Sequence, residues 1–298
     1  MVLRTPLDGC NPSFSAQAGT SLPARAVYPV PPMSELTERT QLAVRIVREI
    51  GAHALTYYQQ QDIGLDFKPD RSPVTRADKE GEELARRILD AECSADAILG
   101  EEYGAKDGTS GYRWYLDPID GTQSFVRGVP LFGCMAALEH DGEPVAGAIC
   151  FPALGELVYA ATGEGAWWAN AIGAPSDALD LRPARVSTVA NLGESLFAST
   201  GFHDFANIGK AKEMARLLAA VNLARGWSDC YGHYLVATGR VDVMIDPYMS
   251  VWDNAPLLSI VEEAGGRFTG LNGARTIHEP NALSTNGLLH DAVLALLG

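Results

Sequence analysis

Four groups of acidic residues in this sequence carry the potential for chemistry. Glu101-Glu102 follows Ala97-Ile98-Leu99-Gly100, and Asp117-Pro118-Ile119-Asp120-Gly121-Thr122 follows an apolar stretch ending at Leu116. Asp246 follows a predicted strand over 241–245, and Trp252-Asp253 precedes a predicted helix over 254–264. Each sits where an element ends, so together they could converge on one sheet edge. A cluster of carboxylate oxygens is what hard divalent cations such as Mg2+ require. Taken singly, each acid reads as a helix cap or a solvated loop residue. Four in equivalent settings do not.

The Asp117 to Thr122 segment is the most specific of the four. Pro118 fixes one torsion and removes a donor, so the Ile119 carbonyl can be aimed as a ligand. Gly121 permits a close backbone approach to an anion, and a helical turn opening at Thr122 would offer free N–H groups to phosphate. Asp117 and Asp120, three residues apart across a kink, could bridge two ions. Asp253 is either the N-cap of its helix or a ligand beside a positive helix end; Trp252 would pack beneath it.

The elements that must position these residues follow from periodicity. Apolar residues recur at helical spacing over 36–61 (Leu42, Ile46, Ile50), and a second helix is predicted over 77–93 with Leu84, Ile88 and Leu89 inward. Strands follow over 97–99, 112–116, 135–138, 145–151 and 157–161, separated by turns such as Asp141-Gly142. The second half alternates: strand 196–198, helix 210–220, helix 231–238 closed by Gly239, strand 241–245, helix 254–264 closed by Gly265-Gly266, and strand 267–269. That order predicts an N-terminal α+β subdomain over 33–175 and a C-terminal α/β subdomain over 176–298. Residues 1–32 carry six prolines and no apolar period. They read as a disordered extension without function, or as sequence upstream of a true start at Met33, with Ser34 capping the first helix.

Composition narrows the function. The 298 residues hold 47% hydrophobic side chains, enough for a packed core. With 23 Lys and Arg against 37 Asp and Glu the net charge is −14, which disfavours nucleic acid as a partner. An anionic substrate would then need positive charge from a bound metal ion. No stretch is apolar enough for a membrane span. The five cysteines form no C-x-x-C pair and read as reduced thiols of a cytoplasmic protein. The six histidines show no metal spacing, and His233 reads as structural. No G-x-S-x-G elbow appears, and Gly163-Glu164-Gly165 reads as a loop rather than a nucleotide fingerprint. Trp167-Trp168 reads as a packed hairpin or a dimer contact.

The sequence resembles the inositol monophosphatase superfamily of metal-dependent phosphatases. The resemblance rests on Gly100-Glu101-Glu102, on Trp114 through Thr122, on Val251-Trp252-Asp253 through Gly266, and on Ser72-Pro73-Val74-Thr75 with Ala77-Asp78, in family order from about residue 36 onward. Within the superfamily the likeness is greatest to the histidinol-phosphate phosphatase branch, through 124–133 (Ser124-Phe125 to Phe132-Gly133) and 225–232 (Arg225-Gly226-Trp227-Ser228 to Gly232).

The resemblance implies a layered α/β/α/β/α sandwich, a homodimer, and a small phosphorylated metabolite as substrate. It implies two or three Mg2+ ions per site, with Mn2+ an alternative. Glu101, Asp117 and the Ile119 carbonyl would hold the first, and Asp117, Asp120 and Asp253 the second. Glu101 and Thr122 would position and deprotonate the attacking water, with Asp78 accepting from Thr122. The Gly121 and Thr122 amides would bind phosphate oxygens, and Lys68 would contact a third metal or a loop. Substrate choice would fall to Arg225, Ser228, Asp229 and Asp246, the two acids suiting the ammonium and imidazole of histidinol phosphate. Inositol 1-phosphate or another sugar phosphate is the alternative substrate. Gln123 departs from the family, which often has lysine there. A non-catalytic relative would have lost one of Glu101, Asp117, Asp120 and Asp253, and all four are present.

Overall fold

The computed structural model describes residues 35–170 and 179–298. The predicted extension over 1–32, the start at Met33 with its Ser34 cap, Cys10, and the subdomain border between 175 and 176 lie outside the described residues.

Helix α1 (Glu35–Leu55) buries the stripe Leu42, Ile46, Val47, Ile50 and Ala54 and ends before the predicted residue 61, in a turn. Helix α2 (Arg76–Glu92) turns Ala77, Gly81, Ala85 and Leu89 inward, while Leu84 and Ile88 are only half-buried. Small residues on that face let the two helices lie close. A short hairpin, β1 (Asp66–Phe67) and β2 (Pro73–Val74), joins them.

An eight-stranded sheet lies against this helix pair. Its strands are β3 (Ala97–Gly100), β4 (Gly104–Lys106), β5 (Tyr112–Asp120), β6 (Gly133–His140), β7 (Glu143–Phe151), β8 (Glu156–Ala161), β9 (Gly165–Asn170) and β10 (Arg182–Pro183). Their order is β10-β9-β8-β7-β6-β5-β3-β4, antiparallel except for β3 beside β5. Period-two alternation serves both faces. Trp114, Leu116, Ala136, Ala148 and Cys150 pack with α1 and α2, and Tyr115, Met135, Ala137, Ile149 and Phe151 face the other way.

On that second face lie α6 (Asp229–Ala237) and α7 (Val251–Glu263). Gly147 lets α7 come close, since a Cβ there would sit 2.5 Å from the Pro256 carbonyl oxygen. Beyond them is a five-stranded sheet of β11 (Leu196–Ser199), β12 (Leu223–Arg225), β13 (Val243–Asp246), β14 (Arg267–Thr269) and β15 (Ala282–Thr285), in the order β12-β11-β13-β15-β14. Its Ala198 and Met244 pack with Leu235 and Val236 of α6. Phe197, Val243, Ile245 and Leu283 pack on the far side with α5 (Ala211–Ala220) and α8 (His290–Leu297). The short α4 (Asp204–Asn207) joins that cluster through Phe205. The layers therefore run α/β/α/β/α, as expected.

Several boundaries differ from the sequence reading. Strand β5 runs on through the acidic motif: Asp117 pairs with Met135 and Asp120 with Gly133, with a bulge between them where Pro118 has no N–H to give the ladder. The three helices predicted for the second half start early or late by up to three residues, and Asp229 and Asp253 fall inside helices rather than before them. Strands β1, β2, β4, β9, β10, β12 and β15 and helices α4 and α8 were absent from the predicted elements. The loop reading survives as the turn before β9, where the Glu263 carboxylate accepts from the Gly163 and Gly165 amides at 2.9 Å each. Trp167 and Trp168 lie on β9 between β8 and β10, and Arg182 and Arg240 lie over the Trp168 ring.

Candidate active site

The one parallel pairing in the large sheet builds the first half of the site. Gly100 lies opposite Leu116, so the next residues, Glu101 just past β3 and Asp117 within β5, stand side by side. The Glu101 amide donates to the Leu116 carbonyl at 3.1 Å. The bulge after Asp117 carries the chain to Asp120, and the Asp117 carboxylate accepts the Ile119 amide at 3.0 Å. From the sandwiched layer, the N-terminus of α7 brings Asp253. Carboxylate oxygens of Asp117, Asp120 and Asp253 lie within 4.8 Å of one another.

Asp253 is not the cap of its helix, as one reading had it. Ser250 is the N-cap, and Asp253 at the third helical position accepts the Ser250 amide at 2.7 Å in a capping box. That bond fixes one carboxylate oxygen of Asp253. The Cys230 amide similarly donates to Asp120 at 2.6 Å.

The electrostatics are those of negative charge without a counter-charge. Burial, then the charges of Glu101, Asp120 and Asp253, hold Asp117 well above the usual carboxylate range. Burial pushes Asp120 up to about 6 against the Cys230 hydrogen bonds, and burial with the Asp120 charge holds Asp253 well above its ordinary value. Among the described residues no Lys or Arg forms an ion pair with these three. Lys68 pairs instead with Glu101 at 2.6 Å and Glu102 at 2.8 Å. Burial works to lower the Lys68 pKa, but those two carboxylates outweigh it and raise it. Its place is a contact from the β1–β2 hairpin to the Glu101 turn.

Helix α3 (Thr122–Val126) opens from Gly121, whose φ of 82° is left-handed, the region that glycine enters without a Cβ clash. The Thr122 hydroxyl lies 3.0 Å from the Ile119 carbonyl oxygen and 3.4 Å from Asp78 Oδ1. Asp78 is the more firmly bound to Thr75, whose amide (2.8 Å) and hydroxyl (2.5 Å) both donate to it. Burial still pushes Asp78 up to about 7. Gln123 is exposed and bonds Arg127 one helical turn on.

A second acidic pair, Asp246 on the smaller sheet and Asp229 on α6, lies close to Asp120. Strands β11 and β13 run parallel with Ser199 opposite Ile245, so Thr200 and Asp246 emerge together. The Thr200 amide donates to Asp246 at 3.1 Å, and the Thr200 hydroxyl accepts the Asp229 amide at 2.8 Å. Ser228 is the N-cap of α6, and Asp229 takes the first helical position with φ 56°. A non-glycine residue there is strained, a state that recurs at functional sites. A Cβ on Gly121 would lie 3.1 Å from Asp229 Oδ2, so the two are neighbours. Burial, then the charges of Asp120 and Asp246, hold Asp229 well above the usual range. Arg225 does not join this group: it is exposed, and its guanidinium donates to the adjacent Ala224 carbonyl.

The model of the inositol monophosphatase family matches residues 35–297. The chain belongs to that family. A histidinol-phosphatase of Chlorobaculum parvum is 38% identical over 264 residues, covering 88% of this chain and 98% of the relative. One from Mycobacterium tuberculosis is 41% identical over 238 residues, covering 79% and 88%. Among solved structures, the inositol monophosphatase from Anabaena matches with a TM-score of 0.74 at 27% identity, covering 89% of this chain and 96% of that one. The protein is thus a phosphatase of the inositol monophosphatase family, and its all-oxygen, crowded and uncompensated donor set fits divalent cations.

Sequence reasoning missed three supports of this site. Glu82 is fully buried, is held by Arg86 at 2.7 Å, and accepts the amides of Glu102 at 2.7 Å and Tyr103 at 3.2 Å. It cradles the Glu101 turn, and Gly100 leaves room for it, since a Cβ there would fall 2.1 Å from Glu82 Oε1. The Glu82–Arg86 spacing on one helix face was a visible clue. Thr200 and the Cys230 amide act through local geometry that residue type does not announce.

Proposed function

We propose that the protein hydrolyses histidinol phosphate to histidinol and inorganic phosphate, using divalent metal ions, Mg2+ foremost, held by Glu101, Asp117, the Ile119 carbonyl, Asp120 and Asp253. The observation that carries the reading is the convergence of the Asp117, Asp120 and Asp253 oxygens beside the Gly121 turn. Bound there, the ions would neutralise the phosphate and acidify a water molecule. The chain's own groups do the rest. Glu101 takes a proton from the attacking water. Thr122, its own proton directed to the Ile119 carbonyl or Asp78, accepts a hydrogen bond from that water and orients it. The Gly121 and Thr122 amides hold phosphate oxygens, and Lys68 holds Glu101 and Glu102 in place.

The substrate assignment is supported by the histidinol-phosphatase relatives and by the second acidic pair. Asp229 and Asp246, close to Asp120, offer charge-assisted bonds to an ammonium. Ser228 caps the helix that presents Asp229. Arg225 is given no role in contact with substrate. We place the enzyme in the cytoplasm as a homodimer; the buried, unpaired Cys134, Cys150 and Cys230 support a reducing compartment. Among the described residues no helix is long and apolar enough to cross a membrane.

The test is phosphate release from histidinol phosphate, inositol 1-phosphate, fructose bisphosphate and phosphoadenosine phosphate, with Mg2+ and with EDTA. Histidinol phosphate should be hydrolysed fastest, and EDTA should abolish the reaction. Asp253→Asn should fold and lose about a thousandfold in kcat/KM; near-normal turnover would refute the assignment of metal ligands.

A further inference from the structure

Behind the acidic pair runs a buried polar chain that hydrolysis itself does not use. Met244 and Asp246 lie two apart on β13 and share the sheet face toward α6, and Ser284 lies opposite Met244 on β15. His233 projects from α6 onto that face and is fully buried. Its Nδ1 lies 2.6 Å from Ser284 Oγ, and its Nε2 lies 3.3 Å from Asp246 Oδ2. The other Asp246 oxygen accepts the Thr200 amide. The Phe268 ring, centred 6.1 Å from the imidazole, closes the apolar side.

The partners decide the tautomer. A carboxylate only accepts, so the nitrogen facing Asp246 must carry the proton, and in the neutral imidazole Nδ1 is then the acceptor for the Ser284 hydroxyl. The opposite tautomer would set a lone pair of Nε2 against the carboxylate, inside a site where water cannot intervene. Ser284 therefore orders His233, and His233 with Thr200 pins Asp246 at both oxygens.

Asp246 needs such a hold because its neighbours repel it: Asp120 and Asp229 both feel its charge. We propose that His233 is a positioning residue for substrate selection, which with Ser284 aims the Asp246 carboxylate at the substrate's ammonium group. This inference rests on the reading of Asp246 as an ammonium partner given above. His233 touches neither the phosphate nor the metal ligands, so its loss should weaken recognition of the cation and spare hydrolysis.

The experiment compares L-histidinol phosphate with β-glycerophosphate, which has no cationic group, in steady-state kinetics at saturating Mg2+. The variants are His233→Ala, His233→Gln, Ser284→Ala and Asp246→Ala. For His233→Ala, KM for histidinol phosphate should rise about tenfold with kcat nearly unchanged, so that selectivity over β-glycerophosphate falls about tenfold. His233→Gln, whose amide can donate to Asp246, should recover most of the loss, and Ser284→Ala should fall between. An equal loss on both substrates would mark His233 as merely structural and overturn the inference. If Asp246→Ala destroys selectivity while His233→Ala leaves it intact, the positioning role fails alone. If Asp246→Ala leaves selectivity intact, the ammonium reading fails and takes the positioning role with it. Should His233→Ala not fold, Ser284→Ala and His233→Gln still decide. In wild-type protein with 15N-labelled imidazole, His233 should show the proton on Nε2, and a proton on Nδ1 alone would overturn the chain.

Discussion

Replacing Asp120 by Asn separates what the acidic cluster does for the fold from what it does for function. A carboxyl whose pKa lies at 3.8 in the unfolded chain and at about 6 in the fold binds its proton more tightly when folded. Its contribution to stability is fully present below pH 3.8 and is lost as pH rises through about 6. At about pH 7.5, without metal, the ionised side chain therefore costs the fold up to about 3 kcal/mol. Asn removes the charge and keeps an oxygen to accept the Cys230 amide. In EDTA, Asp120→Asn should be more stable than wild type by about 1–3 kcal/mol, a rise in melting temperature of about 2–6 °C. In Mg2+ the difference should shift by up to about 2.7 kcal/mol toward wild type, because binding at a hundred times Kd stabilises wild type by about that much and the variant far less. Thermal melts of both proteins in EDTA and across a Mg2+ titration make the comparison, with phosphate release alongside. A variant less stable than wild type in EDTA, or equal stabilisation of both by Mg2+, would refute the reasoning.

Three further expectations follow from the geometry. Asp229→Ala should impair histidinol phosphate more than inositol 1-phosphate in kcat/KM, since Asp229 sits at the Gly121 turn with the charge an ammonium needs; equal impairment would remove it from selectivity. Gly100→Ala should destabilise by about 1–3 kcal/mol and lower kcat, because the new Cβ collides with Glu82 and displaces the Glu101 turn; denaturant melts and turnover read both effects, and an unchanged melt would count against the cradle. Burial, then the charge of Arg267, lowers His290 from 6.5 to about 4. Its contribution is fully present above pH 6.5 and is lost as pH falls through about 4, up to about 3 kcal/mol, so His290→Asn should flatten that part of the acid limb of stability measured by urea melts.

The residues of the cluster were legible in the sequence because their types are unusual where they stand. Carboxylates after apolar stretches, with Pro118 and Gly121 between, announce an oxygen site, and alternation or helical spacing announced α1, α2 and most strands of the larger sheet. What brings them together was not legible. The parallel pairing that sets Glu101 beside Asp117 is a choice of topology, with no trace in either strand's composition. Whether Asp253 caps its helix or lies within it was open in the sequence, because Ser250, three residues earlier, is an equally good cap and only the backbone torsions choose between them. Strand β9 was hidden by the glycines at its start. Strand β15 and helix α8 went unread because each is short and draws its stability from packing rather than from local pattern.

The carboxylates assigned to the metal ions come from the larger sheet and α7, whereas those assigned to the substrate's cation come from the smaller sheet and α6. Cleavage and recognition thus draw on different elements, which meet at Asp120 and the Gly121 turn. A lineage can rewrite the tips of β11 and β13 and the first turn of α6 to admit a new alcohol while leaving the hydrolytic machinery as it stands. One scaffold can in this way serve many phosphate esters.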